Sequence, residues 1–399
     1  MKTAVILPAT AASFQPVAGL PLIQRTVLSA LRSGFDRVVV LGNHYNHELR
    51  RLFASDSRTQ AVEISERLPQ IDGISVTVIP SDRLVSAAVL ARASTVSLYV
   101  QPLLLGNAGR QDLGVCRPAT LAGVDLSALG AASADAVWAL LDARGAQPLP
   151  LPGGVCVPIA DARSATAAEK LLCAQLRADS AATDGWLAHR LDRHISLRLS
   201  LWLARHTRVR PNQITVAGTT VGLLAAVLLG RGTYWTGLAG TLLFLCATII
   251  DGCDGEVARL KFAESAFGAK FDVITDNIVH VAIFIGLAVG LYHQDPGGHY
   301  PSLLALLLGG FACNGALSYF FLLRRPGFTR SGGTPVSFKA RLRRRLLGAF
   351  EAMMNRDFTY LLVLLAVIGR LHWFLWGAAF GSYVFAILLV SVYRWRDAA

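Results

Sequence analysis

The period of the apolar positions changes about halfway along the chain. Up to about residue 184, short β-rich runs ("TAVILP", "DRVVVLG", "ISVTVIP", "VSLYVQP") alternate with helical stretches such as "LIQRTVLSALRSGF". Strands alternating with helices predict an α/β layer on a mainly parallel sheet. The polar stretch "LRADSAATDG" closes this half, so two domains are expected, 1–183 and 184–399. The opening "MKTAVILPATAASF" has an apolar run broken by Pro8 and too short for a secretory leader, and it is expected to be the first strand.

Beyond the polar stretch the period becomes helical. Leu187, Leu191, Ile195, Leu199, Trp202 and Leu203 form an apolar stripe, with Arg190, Arg193, Arg198 and Arg205 largely off it. A basic amphipathic helix of this kind suits a membrane interface, and it also suits an ordinary packed surface helix. Pro211 then opens a fresh helix. From Thr215 on, six apolar spans are expected, at about 215–231, 233–251, 271–292, 301–323, 346–369 and 371–393, from the roughly 20 residues that a crossing needs. The fifth must reach back through "LLGAFEAMMNRDF", which carries Glu351, Arg356 and Asp357 toward membrane depth and predicts a polar cavity there.

Composition agrees with this pattern. The 399 residues are 53% hydrophobic and only 16% charged, against about 25% charge in a soluble chain. The net charge of +12 could suggest nucleic acid, but basic loops beside membrane spans explain it better, and no nucleic-acid partner is expected. The segment Arg324–Arg345 holds the dense basic run, so it, both termini and the "DGCDG" connection are placed on the cytoplasmic side of a cell or inner membrane. The six cysteines show no metal or disulfide spacing and are expected to be reduced thiols.

Candidate chemistry concentrates in "DGCDGEVARLKFAESAFGAKFDVITD". If the second span stays helical through residue 259, Asp251, Asp254, Gly255, Ala258 and Arg259 share one face. Gly268, Asp272 and Asp276 recur every four residues at the start of the third span. Two neighbouring helices would then aim four carboxylates at one another, which repel strongly unless cations lie between them. Oxygen-only donors select Mg2+ or Mn2+, and a pair of ions suits a diphosphate. Small side chains at Gly255, Ala258 and Gly268 let a nucleotide approach the helices, and Arg259 offers a cation. Helix capping explains Asp251 or Asp272 singly but not the whole spacing. An ion-coupled transporter is the alternative from a different class, but its usual internal repeat is not visible.

These eight spaced positions match the signature D-x-x-D-G-x-x-A-R-x8-G-x3-D-x3-D, so residues from about 184 to 399 resemble the CDP-alcohol phosphotransferase (CDP-alcohol phosphatidyltransferase) family. The resemblance implies an all-α membrane domain of six transmembrane helices with a juxtamembrane helix. It implies an enzyme that transfers a phosphoalcohol group from a CDP-alcohol to the hydroxyl of a second alcohol and releases CMP. Asp251, Asp254 and Asp272 would hold two divalent ions, with Asp276 contributing to the metal site and acting as general base. Asn212, Thr215, Gly255, Ala258, Arg259 and Gly268 would line the CDP site. A homodimer is implied as well.

The acceptor is less determined. Arg356, Arg341 and Arg344 lie beside the expected active face and could bind an acceptor phosphate, although the basic run also serves topology. "TDGWLAHRLDRHIS" and the linked N-terminal domain look most like members that handle inositol phosphate, so CDP-inositol or CDP-diacylglycerol is the expected donor and inositol phosphate or another polar alcohol the acceptor.

"AVILPATAASFQPVAGLPLIQRTVLSALRSGFDRVVVLG" resembles a sugar-phosphate nucleotidyltransferase, implying a Rossmann-like domain. Its departures predict a degenerate, inactive one: "PATAASFQ" replaces the glycine-rich basic loop, and "SLYVQPLLL", taken as the strand that should end in a metal-binding aspartate, has none. Gly19, Pro21 and Arg25 are then fold residues. An active cytidylyltransferase joined to the phosphotransferase is the alternative.

Overall fold

The computed structural model describes residues 1–96, 101–107, 110–121, 133–151, 153–181, 189–318 and 358–394. The chain divides into two compact units, Met1–Ala178 with Ala204–His206, and Asp179–Leu203 with Thr207–Ala399.

The first unit contains strands β1 (Lys2–Ile6), β2 (Pro16–Val17), β3 (Leu20–Pro21), β4 (Arg37–Leu41), β5 (Glu63–Ser65), β6 (Ser75–Ile79), β7 (Arg83–Val85), β8 (Leu103–Asn107), β9 (Arg110–Cys116), β10 (Gln147–Pro150) and β11 (Cys156–Pro158). Its helices are α1 (Leu22–Arg32), α2 (Asn46–Ala54), α3 (Ala87–Thr95), α4 (Pro118–Leu121), α5 (Ser133–Ala143) and α6 (Ala162–Ser180). Seven strands form one sheet in the order β10-β8-β9-β6-β1-β4-β5. β1 pairs in parallel with β4 and β6, whereas β9 runs antiparallel between β6 and β8, so the sheet is mixed.

Period-two burial explains why β1 reads as an unbroken apolar run. Ala4 and Ile6 pack with Ile23, Val27 and Leu90 on one face, and Val5 and Leu7 pack with Val39, Val78 and Trp138 on the other. Both faces are covered, as a central strand of an α/β layer requires. The β2–β3 hairpin turns on Ala18 and Gly19, both at positive φ, the twist a two-residue hairpin favours. Arg25, 3% exposed, donates from Nε to the Val17 carbonyl and from Nη2 to the Ala18 carbonyl. Burial lowers its pKa to about 10, which still leaves it charged at neutral pH. The expectation that Arg25 serves the fold agrees with these bonds.

The described part of "SLYVQPLLL" does not neighbour β1. Residues 97–100 of "SLYVQPLLL" lie outside the described residues, and its remainder, β8, pairs with β9 and β10. β6 is β1's parallel neighbour on that side; it ends at Ile79, and Ser81 and Asp82 follow in a turn. Ser81 Oγ donates to the Pro8 carbonyl at 2.7 Å, which holds the turn that carries Asp82 beside the "PATAASFQ" loop. Local sequence could not supply this, because strand order is set by long-range pairing.

The second unit is helical. α7 (Asp192–His206) is followed by α8 (Pro211–Gly230), α9 (Tyr234–Leu260), α10 (Ala266–Gln294), α11 (Tyr300–Ser318), α12 (Phe358–Val367) and α13 (Leu371–Arg394). Pro211 occupies the first turn of α8, and Thr233 and Ser265 cap α9 and α10 through their hydroxyls. Gly232 and Gly369 follow α8 and α12 at positive φ, where a left-handed residue ends a helix without a Cβ penalty. α8 through α11 are long and apolar enough to cross a membrane, and the chain is a membrane protein. Four of the six expected spans meet the length and hydropathy requirement among the described residues; the described parts of α12 and α13 are shorter apolar stretches, and residues 346–357 of the expected fifth span lie outside the described residues.

Small residues let α8 sit against both α9 and α10. Gly240 packs on the Ala225 carbonyl, and Gly286 and Gly290 lie against the carbonyls of Ala226 and Leu229 so closely that a Cβ would run into them. Outward positions such as Leu224, Val227, Ile274, Ile278 and Ile387 are exposed apolar side chains, as a lipid-facing surface should be.

α7 turns out to be two-sided. Leu191, Ile195 and Trp202 are about half exposed, while Leu199 and Leu203 pack with Ile214, Cys253 and Val257. Leu187 lies outside the described residues. The opposite face is polar and buried, carrying Asp192, Ser196 and Ser200. Tyr360 of α12 donates its hydroxyl to Asp192 Oδ1.

Candidate functional site

α9 remains helical through Leu260, and α10 begins at Ala266, so both halves of the aspartate motif are on helices joined by five residues. One carboxylate oxygen each from Asp251, Asp254 and Asp272 lies within 4.8 Å of the other two. α8 supports this convergence from the side: Thr215 Oγ1 donates to Asp254 Oδ2. A carboxylate held by a hydroxyl keeps its second oxygen directed, which is how outer groups fix a ligand.

The three acids line a cleft of about 330 Å³. Asn212, Thr215, Gly255, Ala258, Arg259 and Gly268, all expected at a nucleotide site, line the same cleft. A Cβ placed on Gly255 would meet only Arg259 Nη2, at 3.8 Å, so Gly255 leaves open space on the cleft wall. Gly268 is tighter: its Cβ would come to 3.2 Å from Asn212 Oδ1 and 3.0 Å from Ser265 Oγ, and its N–H donates to that Ser265 oxygen at 2.9 Å. Arg259 Nε is buried without a hydrogen-bond partner among the described residues. Lys261, just past α9, donates to the Thr207 and Val209 carbonyls at 2.8 and 3.4 Å, which ties down the segment leading into α8; burial lowers its pKa.

Asp276 is placed differently from the other three aspartates. It lines an adjoining chamber of about 260 Å³ among α8, α9, α10 and α12, together with Thr219, Thr248, His280 and Thr359. Asp251 lines both cavities and so joins them. Arg341, Arg344 and Arg356 lie outside the described residues.

Sequence reasoning missed Glu256, which occupies a variable position inside the motif. It is 1% exposed and accepts from Arg193 Nη1 at 2.6 Å, Ser196 Oγ at 2.7 Å and Ser200 Oγ at 2.7 Å. Arg193, which itself lines the cleft, was assigned to an interfacial basic face and instead turns inward. The usable signal was the spacing of Arg193, Ser196 and Ser200, at i, i+3 and i+7 on α7.

The arrangement resolves into a carboxylate cluster with an oxygen-only donor set, a wall of small residues and two arginines, which together suit divalent ions and an anionic nucleotide. Known proteins are similar to parts of the chain. Among solved structures, the inositol-1-phosphate CTP transferase from T. maritima is 9% identical with a TM-score of 0.31, covering 43% of this chain and 95% of that one. A nucleotidyl transferase from Methanothermobacter thermautotroptrophicus is 18% identical with a TM-score of 0.30, covering 38% and 88%. Among curated proteins, the bifunctional IPC transferase and DIPP synthase of Aquifex aeolicus is 32% identical over 127 residues, and that of Thermococcus kodakarensis 35% identical over 124 residues. These matches span 32% and 31% of this chain but only 28% and 27% of the relatives' own lengths. Residues 208–337, which hold the whole aspartate motif, match the family model of the CDP-alcohol phosphatidyltransferases, and the helical unit carries a domain of that family.

Proposed function

We propose that the protein is a multi-pass membrane transferase that moves a phosphoalcohol group from a CDP-alcohol to the hydroxyl of a second polar alcohol and releases CMP. The observation that carries this reading is the gathering of Asp251, Asp254 and Asp272 within 4.8 Å on a cleft walled by Gly255, Ala258 and Gly268. Their carboxylates fit Mg2+ or Mn2+, and Asp251, Asp254 and Asp272 would hold the ions. When bound, two such ions supply countercharge to the donor diphosphate and to the departing CMP.

The chain's own groups carry the rest. Gly255, Ala258 and Gly268 admit the nucleotide, with Asn212, Thr215 and Arg259 beside it. Thr215 keeps Asp254 oriented. Asp276, in the adjoining chamber, takes the acceptor's hydroxyl proton as general base, and the alkoxide oxygen bonds the phosphorus of the phosphoalcohol as the bond to the CMP oxygen breaks. The proton then leaves Asp276 for solvent. The cleft, both termini and the basic segment 324–345 are assigned to the cytoplasmic side.

CDP-inositol or CDP-diacylglycerol as donor, inositol phosphate as acceptor and a homodimeric state complete the proposal. The likeness of "TDGWLAHRLDRHIS" to members that handle inositol phosphate favours the inositol-type pair. The test is CMP release by purified protein in detergent with Mg2+ or Mn2+, offering each donor against inositol, inositol phosphate, glycerol phosphate and serine. Acceptor-dependent CMP that vanishes in Asp276→Asn supports the reading, and metal-loaded folded protein that releases none with any pair overturns it.

A second reading, nucleotidyl transfer in the α/β unit, draws on Asp82. It stands at the carboxyl end of a parallel strand beside the β1 loop, where ligands bind in open α/β sheets. Pyrophosphate formed from CTP and inositol phosphate, and lost in Asp82→Asn, would establish it.

A further inference from the structure

We infer that Thr359 is a specificity-determining residue that binds a second hydroxyl of the acceptor, in the chamber it shares with Asp276 and His280. The inference rests on the phosphotransferase reading and deepens it. Its starting point is an imbalance among the threonines of the chamber. Thr219 donates its hydroxyl to the Thr215 carbonyl at 2.8 Å and Thr248 donates to the Phe244 carbonyl at 3.0 Å, so both are satisfied within their own helices. Thr359 is 1% exposed, and its Oγ1 has no hydrogen-bond partner among the described residues. A buried hydroxyl without a partner in a membrane bundle is costly, and such groups are kept where a ligand or ordered water completes them.

The chamber has room for a ligand. Its volume of about 260 Å³ exceeds the ~30 Å³ of a single water several times over. Two acids line it: Asp251, which also lines the nucleotide cleft, and Asp276. His280 follows Asp276 by four residues on α10, one turn along the same face. Its ring lies between aromatic neighbours, with centroids 6.0 Å from Phe244 and 5.5 Å from Phe358. Among the described residues the lining carries no lysine or arginine. Hydroxyl and imidazole groups above aromatic walls recognise a polyol, whose hydroxyls point outward and whose C–H faces pack on rings. One hydroxyl of the acceptor meets Asp276 and reacts; another meets Thr359 and sets which alcohol is chosen.

The test uses full-length protein in detergent with the working donor. Acceptor KM is measured for myo-inositol phosphate and for its monodeoxy analogues, in the wild type, Thr359→Val and Thr359→Ser. Valine keeps the shape of threonine and removes the donor, so acceptor KM should rise roughly 3- to 10-fold. Donor KM should stay within about twofold, and the preference for the parent acceptor over one deoxy analogue should disappear. The serine variant should retain the preference. Unchanged acceptor KM and preference in Thr359→Val, with CMP still formed, overturn this inference alone. A joint rise in donor and acceptor KM assigns Thr359 a packing role and overturns it as well. Absence of CMP from the wild type with every donor and acceptor pair overturns the phosphotransferase reading and this inference with it.

Discussion

Arg193 and Glu256 are 63 positions apart in the chain and 2.6 Å apart in the fold. Their pairing fastens α7 to the turn of α9 that bears Asp254 and Gly255, and both side chains are largely buried. Removing one partner of a buried ion pair leaves an uncompensated charge and costs about 3–5 kcal/mol, whereas replacing both by apolar groups is often neutral. Glu256→Ala should therefore lower the Tm of the detergent-solubilised protein by roughly 6–20 °C at about 2–4 °C per kcal/mol, and Arg193→Met with Glu256→Leu should recover most of the loss. Additive losses in the double variant would show that the pair contributes no coupling.

On the proposed mechanism, the placement of Asp276 away from the other acids divides metal binding from proton transfer. Asp251→Asn, Asp254→Asn and Asp272→Asn should each weaken Mn2+ binding by about tenfold or more, read by the loss of free-ion paramagnetic resonance signal. Asp276→Asn should hold Mn2+ within about threefold of the wild type while CMP release falls by about 10²–10⁴. If Asp276→Asn loses the ion as completely as Asp272→Asn, its carboxylate is a ligand first.

Thr215 acts on the site through Asp254. Its hydroxyl donates to Asp254 Oδ2 and also approaches the Pro211 carbonyl at 3.3 Å. Thr215→Val removes the donor while keeping the packing against Asp254. Mn2+ affinity should fall about 10-fold, and Thr215→Ser should restore it. An unchanged affinity in the valine variant would make the hydrogen bond incidental.

What the sequence disclosed depended on how local each signal was. β1 was legible because "TAVILP" is buried on both faces, and the aspartate cluster was legible because Asp251 and Asp254 are three apart on one helical face and Gly268 and Asp272 four apart on the next. Both patterns are contained in a few turns or one strand. Glu256 was not, since its partners Arg193, Ser196 and Ser200 are 56 to 63 residues away and only the folded bundle brings them together. The position of Asp82 was hidden for the same reason: that β6 is the strand beside β1 is decided by pairing across the sheet. The separation of Asp276 was also hidden, because a four-residue step preserves the helix face but moves the side chain one turn, about 5–6 Å, along the axis.

Helix packing in the second unit rests on contacts that only glycine permits. A Cβ at Gly290 would run into the Leu229 carbonyl, and one at Gly286 into the Ala226 carbonyl, both backbone atoms that cannot step aside. Gly286→Val and Gly290→Val should each separate α10 from α8, lowering folded yield severely and displacing Asp272 from Asp251. Gly315, whose Cβ would meet nothing within 4 Å among the described residues, is the control, and Gly315→Ala should leave yield and Tm unchanged or slightly raised. Size-exclusion profiles in detergent distinguish these outcomes, and a monodisperse Gly290→Val protein with normal Mn2+ binding would refute the packing account.

Cys116 and Cys156 report on the first unit in the same way that the glycines report on the second. Burial pushes each thiol from 9.0 up to about 12. The nucleophile is the thiolate, so neither should react with a maleimide at pH 8 until the unit opens. Cys246 and Cys313, exposed on α9 and α11 where lipid is expected, should be modified by a membrane-permeant reagent and spared by a charged one, and peptide mass spectrometry separates the four sites. The raised values also set a pH dependence. The folded chain holds these two protons more tightly than the unfolded chain, so their contribution to stability is complete below about pH 9 and declines as pH rises toward 12. Replacing both with alanine or serine should flatten that alkaline decline in the Tm of the first unit. A decline of unchanged steepness would place its origin in other groups, and rapid labelling of Cys156 at pH 8 would mean that β11 opens readily from β7.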